Sequence, residues 1–85
     1  MHYLYVLKSV SRGRHYIGIT GNIKKRLADH NGKAVRSTKA YTPWRLIGTE
    51  EFPDKTSARK RELFLKKTAK AREVLFATFD SAPIV

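Results

Sequence analysis

The chain opens on apolar residues at both parities. Tyr3-Leu4-Tyr5-Val6-Leu7 is aromatic, β-branched and aliphatic without a polar break, the pattern of a strand covered on both faces. Polar residues from Ser9 to Arg14, centred on Arg12-Gly13, predict a turn, and His15-Tyr16-Ile17-Gly18-Ile19 predicts a second strand. The opening unit is therefore a β-hairpin, with its cross-strand register left open. Thr20-Gly21 breaks the second strand, and Asn22 is a good N-cap for a helix beginning at Ile23. Ile23, Leu27 and Ala34 recur at helical spacing, Lys24, Lys25 and Asp29 fall on the outer side, and Asn31-Gly32 supplies a stop. Residues 33–42 read as an exposed basic loop closed by Thr42-Pro43, and Trp44-Arg45-Leu46-Ile47-Gly48-Thr49 as a third strand. Asp54 or a nearby Ser or Thr caps a second helix that runs through Ala58, Glu62 and Leu65 toward Ala69. Ala71 to Phe79 predicts a further short helix, with Leu75 and Phe79 one turn apart. The order ββαβαα implies an α+β fold, a small three-stranded antiparallel sheet flanked by helices. One domain is expected over residues 1–80, with a loose tail over 81–85.

Charge changes this picture more than composition does. Apolar residues make up 41% of the 85, enough for one small core. Eighteen Lys and Arg stand against seven Asp and Glu, a formal net charge of +11. The first 42 residues hold nine basic residues and one acidic, so positive charge is concentrated in the N-terminal half. A field of this sign favours a polyanion, nucleic acid before others. No apolar run approaches the roughly 18–20 residues of a membrane span, and the chain opens with no h-region of a secretory leader. The absence of cysteine removes disulfides, thiolate metal sites and Cys nucleophiles together. A cytoplasmic location without membrane contact is the expectation.

Three features break their local rules. Glu62 shares a helical stripe with Ala58, Leu65 and Ala69, so a carboxylate points where its apolar neighbours point. It requires a cation nearby, either a structural Arg or Lys or a hard divalent ion that takes oxygen donors. Arg26 and His30 stand one turn apart at the edge of the Ile23/Leu27 stripe, a cation pair that an anionic guest would relieve. The alternative makes Arg26 part of a solvated Lys24-Lys25-Arg26 run and His30 a residue capping the helix end. Tyr5 and Tyr16 are central in adjacent strands, as core aromatics or as phenols usable as proton acceptors if cations lower their pKa. Gly18 and Gly48, each inside a strand, mark a close approach of another group.

Taken together, these residues resemble the GIY-YIG nuclease family, over residues 3 to about 70. Leu4-Tyr5-Val6-Leu7-Lys8 is similar to its first motif, with Tyr3-Leu4 in place of the nominal Gly-Ile, and Tyr16-Ile17-Gly18 matches its second. Arg26, His30 and Glu62 fall in order where the family arginine, histidine and glutamate belong. The stretch from Lys39 to Leu46 is similar to small stand-alone bacterial members, often described as UvrC-like or uncharacterised. Counterparts are lacking for the asparagine that some relatives carry after the glutamate helix and for the segment after Ala71.

The resemblance implies a DNA endonuclease that hydrolyses phosphodiester bonds with one divalent cation, Mg²⁺ or Mn²⁺, and Glu62 as its only protein ligand. It implies Arg26 on the scissile phosphate, Tyr16 taking a proton from the attacking water with Tyr5 in support, and His30 orienting a tyrosine or the phosphate. Lys24, Lys25, Lys33, Arg36 and Lys39 would follow the DNA backbone without reading bases. DNA repair or processing is the implied setting, with structure-directed or weak specificity. The alternative is a catalytically silent nucleic-acid-binding module of the same fold, which leaves the inward Glu62 unexplained. A basic ribonucleoprotein component accounts for the charge but not for the ordered tyrosines, Arg26 and Glu62.

Overall fold

A computed structural model describes residues 1–32 and 34–81. Strands β1 (His2–Ser9) and β2 (His15–Thr20) form the expected hairpin, and their antiparallel register sets Tyr5 opposite Gly18 and Leu7 opposite Tyr16. The turn closes through Gly13, whose φ of 70° suits glycine, with its N–H donating to Ser9 O at 2.9 Å. Strand β3 (Trp44–Phe52) pairs antiparallel with the other edge of β1, giving the sheet order β2-β1-β3. β1 is thus central, and Leu4, Tyr5, Val6 and Leu7 are all buried because both faces of the sheet are covered. β3 runs three residues past the expected end at Thr49, held at Glu50 by a two-point ion pair with Arg61 and at Phe52 by packing on the core.

Helix α1 (Ile23–Asn31) starts where Asn22 accepts the Lys25 N–H at 3.0 Å and stops where the Gly32 N–H donates to Ala28 O. Ala34 falls beyond this helix and is exposed, so the expected apolar stripe holds only through Leu27. The following loop is not uniformly exposed as expected. Lys39–Tyr41 forms a short 3-10 turn, and Thr38 is buried. Helix α2 (Lys55–Lys67) begins where Asp54 accepts the Ser57 N–H at 2.7 Å. It ends at Thr68 rather than running to Ala69, because Arg72 of α3 (Ala69–Asp80) caps its last turn, donating to Leu65 O and Lys66 O at 3.1 Å each. The tail expected over 81–85 lies, after Ser81, outside the described residues, as does Lys33.

The two sheet faces carry separate clusters, as the period of two in a strand requires. Leu4, Val6 and Ile17 pack against Leu65 of α2 and Leu75 of α3, while Tyr5 and Leu7 pack with Trp44, Tyr16 and Leu27. Each fully buried aliphatic contributes roughly 1.5–3 kcal/mol. A bulge between Val6 and Leu7 sets Val6 opposite Gly48 and Leu7 opposite Leu46, leaving Ile47 as the extra residue on β3. Gly48 thereby meets the Phe79 ring, and a Cβ there would stand 2.5 Å from three ring atoms. Gly48→Ala should therefore cost about 1–3 kcal/mol in thermal or urea unfolding. Adding Phe79→Leu should recover part of the loss.

Candidate active site

Tyr5 lies in the middle of the central strand with its ring across Gly18. A Cβ at residue 18 would stand 2.5 Å from Tyr5 Oη, so the glycine of the Tyr-Ile-Gly motif makes room for the phenol. Arg26 and His30 approach the same hydroxyl from α1. Arg26 Nε–H donates to Tyr5 Oη at 3.3 Å, and Tyr5 Oη is 2.9 Å from His30 Nε2. His30 Nδ1 is 2.8 Å from Thr38 Oγ1, which donates to Val35 O at 3.3 Å. Arg26 can only donate, so the phenol directs its own proton at His30 Nε2, which leaves Nδ1 protonated and donating to Thr38. The result is a directional chain from Arg26 through Tyr5, His30 and Thr38 to a backbone carbonyl, with every donor facing an acceptor.

That chain requires a neutral imidazole. Burial pushes His30 below its ordinary pKa, and the neighbouring Arg26 charge pushes it the same way, with Asp29 opposing. His30 is fully buried and does not cap the helix, and its neutrality removes the charge repulsion with Arg26 that its spacing suggested. Burial pushes the Tyr5 phenol up rather than down, the Arg26 hydrogen bond opposing and the negative charge of Glu62 adding to the rise. The lowering expected of a proton acceptor is absent at Tyr5. Arg26 itself is pushed further up by its hydrogen bond to Tyr5, so it stays charged.

Tyr16 stands beside this chain, its ring edge-on to His30 at 4.9 Å and 6.3 Å from Tyr5. Its side is walled by Trp44, 6.2 Å from Tyr16. Trp44 is pinned by Asn31, which bonds both its N–H and its carbonyl, and by its indole N–H donating to Thr38 O at 2.9 Å. Tyr16 is half-buried, and among the described residues its hydroxyl makes no hydrogen bond.

Glu62 faces inward from α2, which packs on β1 and β2, with Ala58 and Leu65 buried on the same stripe. Its side chain is only 6% exposed, and both oxygens are held by cations of its own helix. Oε1 is 2.6 Å from Arg59 Nη1 and Oε2 is 3.1 Å from Lys66 Nζ. These partners are 57% and 49% exposed, so either can turn to solvent at little cost to itself, while the nearly buried carboxylate then needs the other cation or a replacement. Lys66, which holds Glu62, lines one cleft of about 260 Å³ with Tyr16, Arg72 and Phe76. Among the described residues no group of three or more His, Asp or Glu could enclose a metal ion. A hydrated Mg²⁺-type ion needs only one or two carboxylates, with water and phosphate oxygens completing its shell, and a nearly buried Glu with displaceable counter-cations fits that class.

The structure thus brings Tyr5, Tyr16, Arg26 and His30 into direct contact and sets Glu62 within electrostatic reach of Tyr5. Lys24, Arg36 and Lys39 are exposed, and Lys25 is exposed but paired with Asp29 at 3.2 Å. Thr38, Trp44, Arg59 and Lys66 are the site residues that sequence reasoning missed. The single tryptophan, directly after Pro43, was a signal for Trp44; Arg59 and Lys66, at i−3 and i+4 from Glu62, were readable as its partners. Thr38 had no signal, since only the folded loop brings it to His30.

The neutral imidazole has a pH consequence. With the folded pKa below 6.5, the unfolded chain binds the extra proton between the two values, so stability is lost as pH falls through that window. In thermal melts between about pH 8 and about pH 5 the wild type should lose this contribution on acidification. His30→Gln, less stable at the upper end, should lose less, so the two curves converge; parallel curves would remove His30 as the source.

Comparison with known proteins identifies the family. Residues 1–74 match the family model described as the GIY-YIG catalytic domain. A UPF0213 protein of Halobacterium salinarum is 38% identical, over 89% of this chain and 100% of its own length. A UPF0213 protein of Bacillus licheniformis is 43% identical, over 81% of this chain and 71% of its own length. The solution NMR structure of a UPF0213 protein from Bacillus halodurans superposes with a TM-score of 0.57 at 29% identity, covering 96% of this chain and 87% of that one. The ββαβαα chain with its Tyr5–Arg26–His30 cluster belongs to the GIY-YIG nuclease family.

Proposed function

We propose that the protein is a divalent-metal-dependent endonuclease that hydrolyses DNA phosphodiester bonds, with structure-directed or weak sequence preference, in DNA repair or processing in the cytoplasm. The observation that carries this reading is the bond chain that fixes Arg26 and Tyr5 beside Tyr16, whose hydroxyl makes no hydrogen bond among the described residues, within the electrostatic reach of the inward Glu62. Tyr5, itself held by His30, accepts from the Arg26 Nε, which leaves the outer guanidinium nitrogens to donate to the oxygens of the scissile phosphate. Tyr5 keeps its proton, because burial raises its pKa and His30 accepts the hydrogen bond. Tyr16, open to the cleft it shares with Lys66, takes the proton of the attacking water. Glu62 holds the Mg²⁺ or Mn²⁺ ion, which when bound stabilises charge on the leaving oxygen. Lys24, Lys25, Lys33, Arg36 and Lys39 follow the backbone of the DNA.

The two ion pairs that close Glu62 favour a second reading, a nucleic-acid binder of the same fold without turnover. Purified protein incubated with supercoiled, flapped and branched DNA, in Mg²⁺, Mn²⁺ or chelator, separates the two. The enzyme reading expects metal-dependent cleavage by the wild type and none by Glu62→Gln, with DNA binding retained or improved. Stability should change by no more than about 1 kcal/mol, because Arg59 and Lys66 are free to hydrate. Wild type that cleaves nothing in either metal would leave the binder, and Glu62→Gln that still cleaves would move the metal ligand elsewhere.

The two tyrosines should respond differently. Tyr16→Phe should abolish cleavage and leave the melting temperature nearly unchanged. Tyr5→Phe leaves His30 Nε2 without its donor, at a cost of about 1–3 kcal/mol of stability, and should retain partial activity. The reverse pattern would make Tyr5 the proton acceptor.

A further inference from the structure

Helix α2 carries six cations, Lys55, Arg59, Lys60, Arg61, Lys66 and Lys67, against the one carboxylate of Glu62. Arg61 is engaged by Glu50, and Asp54 lies within the field of Lys60. Two clefts open along this helix, one toward each end. Lys55, Thr56, Arg59 and Lys60 line, with Ile19 of β2, a groove of about 640 Å³. Lys66 and Arg72 line the cleft that holds Tyr16. The two cations that close Glu62 therefore belong to different clefts: Arg59, one turn before it, to the groove and Lys66, one turn after it, to the Tyr16 cleft.

Both cations are about half exposed, while the carboxylate they hold is nearly buried. A phosphate entering either cleft competes with Glu62 for its cation, and a guanidinium is well matched to phosphate oxygens. Arg59 commits an Nη1 N–H to the carboxylate, and a phosphate seated in the groove competes with Glu62 for the one guanidinium charge.

We propose that the groove between Ile19 and α2 seats a nucleic-acid phosphate flanking the one that is cut, and that Arg59 and Lys66 pass from Glu62 to phosphates in their two clefts, so that nucleic acid opens the carboxylate to the divalent ion. The inference rests on the nuclease reading for the role of Glu62 and adds a second binding surface, carried by α2 rather than by the α1 lysines. It makes metal and nucleic acid bind cooperatively, and the coupling is reciprocal by linkage. Without nucleic acid, the ion must break two ion pairs to reach its ligand.

The test measures binding rather than turnover. Free Mn²⁺ is followed by electron paramagnetic resonance during titration of the DNA-free protein, and affinity for a duplex oligodeoxynucleotide is measured in chelator across a salt series. Arg59→Ala and Lys66→Ala should each bind Mn²⁺ about two- to fivefold more tightly than wild type, the range of an exposed ion pair. Each should bind the duplex more weakly, with a salt slope smaller by about one. Arg61→Ala, whose partner is Glu50, should match wild type in Mn²⁺ binding. Mn²⁺ affinity unchanged in Arg59→Ala and Lys66→Ala, while Glu62→Gln loses the ion, would overturn this inference and leave the metal-ligand reading standing. Glu62→Gln that binds Mn²⁺ like wild type would overturn both. Duplex affinity unchanged in Arg59→Ala would take the phosphate out of the groove.

Discussion

Tyr5 and His30 each carry a polar atom into a space enclosed by β1, α1 and the Trp44 ring, and neither is tolerable there without the other. An unpaired hydroxyl or imidazole nitrogen buried this deeply would cost about 1–3 kcal/mol, so the 2.9 Å bond between them is a condition of burial. Much else is arranged around it. Gly18 lacks a side chain so that the phenol can cross β2, and α1 is docked so that His30 reaches the hydroxyl. The loop after α1 folds back so that Thr38 takes the second imidazole proton, and Trp44 then closes over Thr38. The chain has one direction because its first donor, Arg26, has no acceptor capacity. Among the described residues no buried side-chain polar atom is left without a partner.

That same constraint divides labour between the two tyrosines. Tyr5 is the less fit to give up a proton, since its burial penalises the phenolate and His30 already takes its hydrogen bond. Tyr16, on the adjacent strand and half-exposed, keeps an open hydroxyl against the same histidine. A fixed arginine, a protonated tyrosine and an open tyrosine therefore sit side by side, preorganised by a histidine that is buried and touches nothing outside. Electrostatics add the complement. Glu62 is a lone negative charge on the most cationic helix of the fold, balanced by neighbours free to leave it.

Some readings from the sequence failed for reasons that particular residues make plain. Charge counted by chain halves pointed to the segment around residues 8–39, yet α2 concentrates six cations on 13 residues. The acids that masked this in the count, Glu50, Glu51, Asp54, Glu73 and Asp80, all lie off that helix, and among the described residues only Glu50 forms a salt bridge with one of its cations, Arg61. Gly18 and Gly48 were legible as sites of close approach but not as to what approaches, which is an aromatic ring in both cases. Ala34 extended a helical spacing on paper that the Gly32 cap had already ended.

By itself the sequence determined the element order, the cap at Asn22, the doubly covered first strand, the inward stripe of Glu62 and the ordered set of Tyr5, Tyr16, Arg26 and His30. Those are local properties: periodicity, capping and residue type act over a few residues, and the chain states them directly. Only the tertiary structure decided the register that sets Tyr5 across Gly18, the bulge at Ile47 and the partnership of His30 with Thr38. It alone decided which phenol is buried and which cations hold Glu62. Each of these depends on contacts between elements, and a hydrogen-bond direction or a pKa follows from who is buried against whom, which no local pattern encodes.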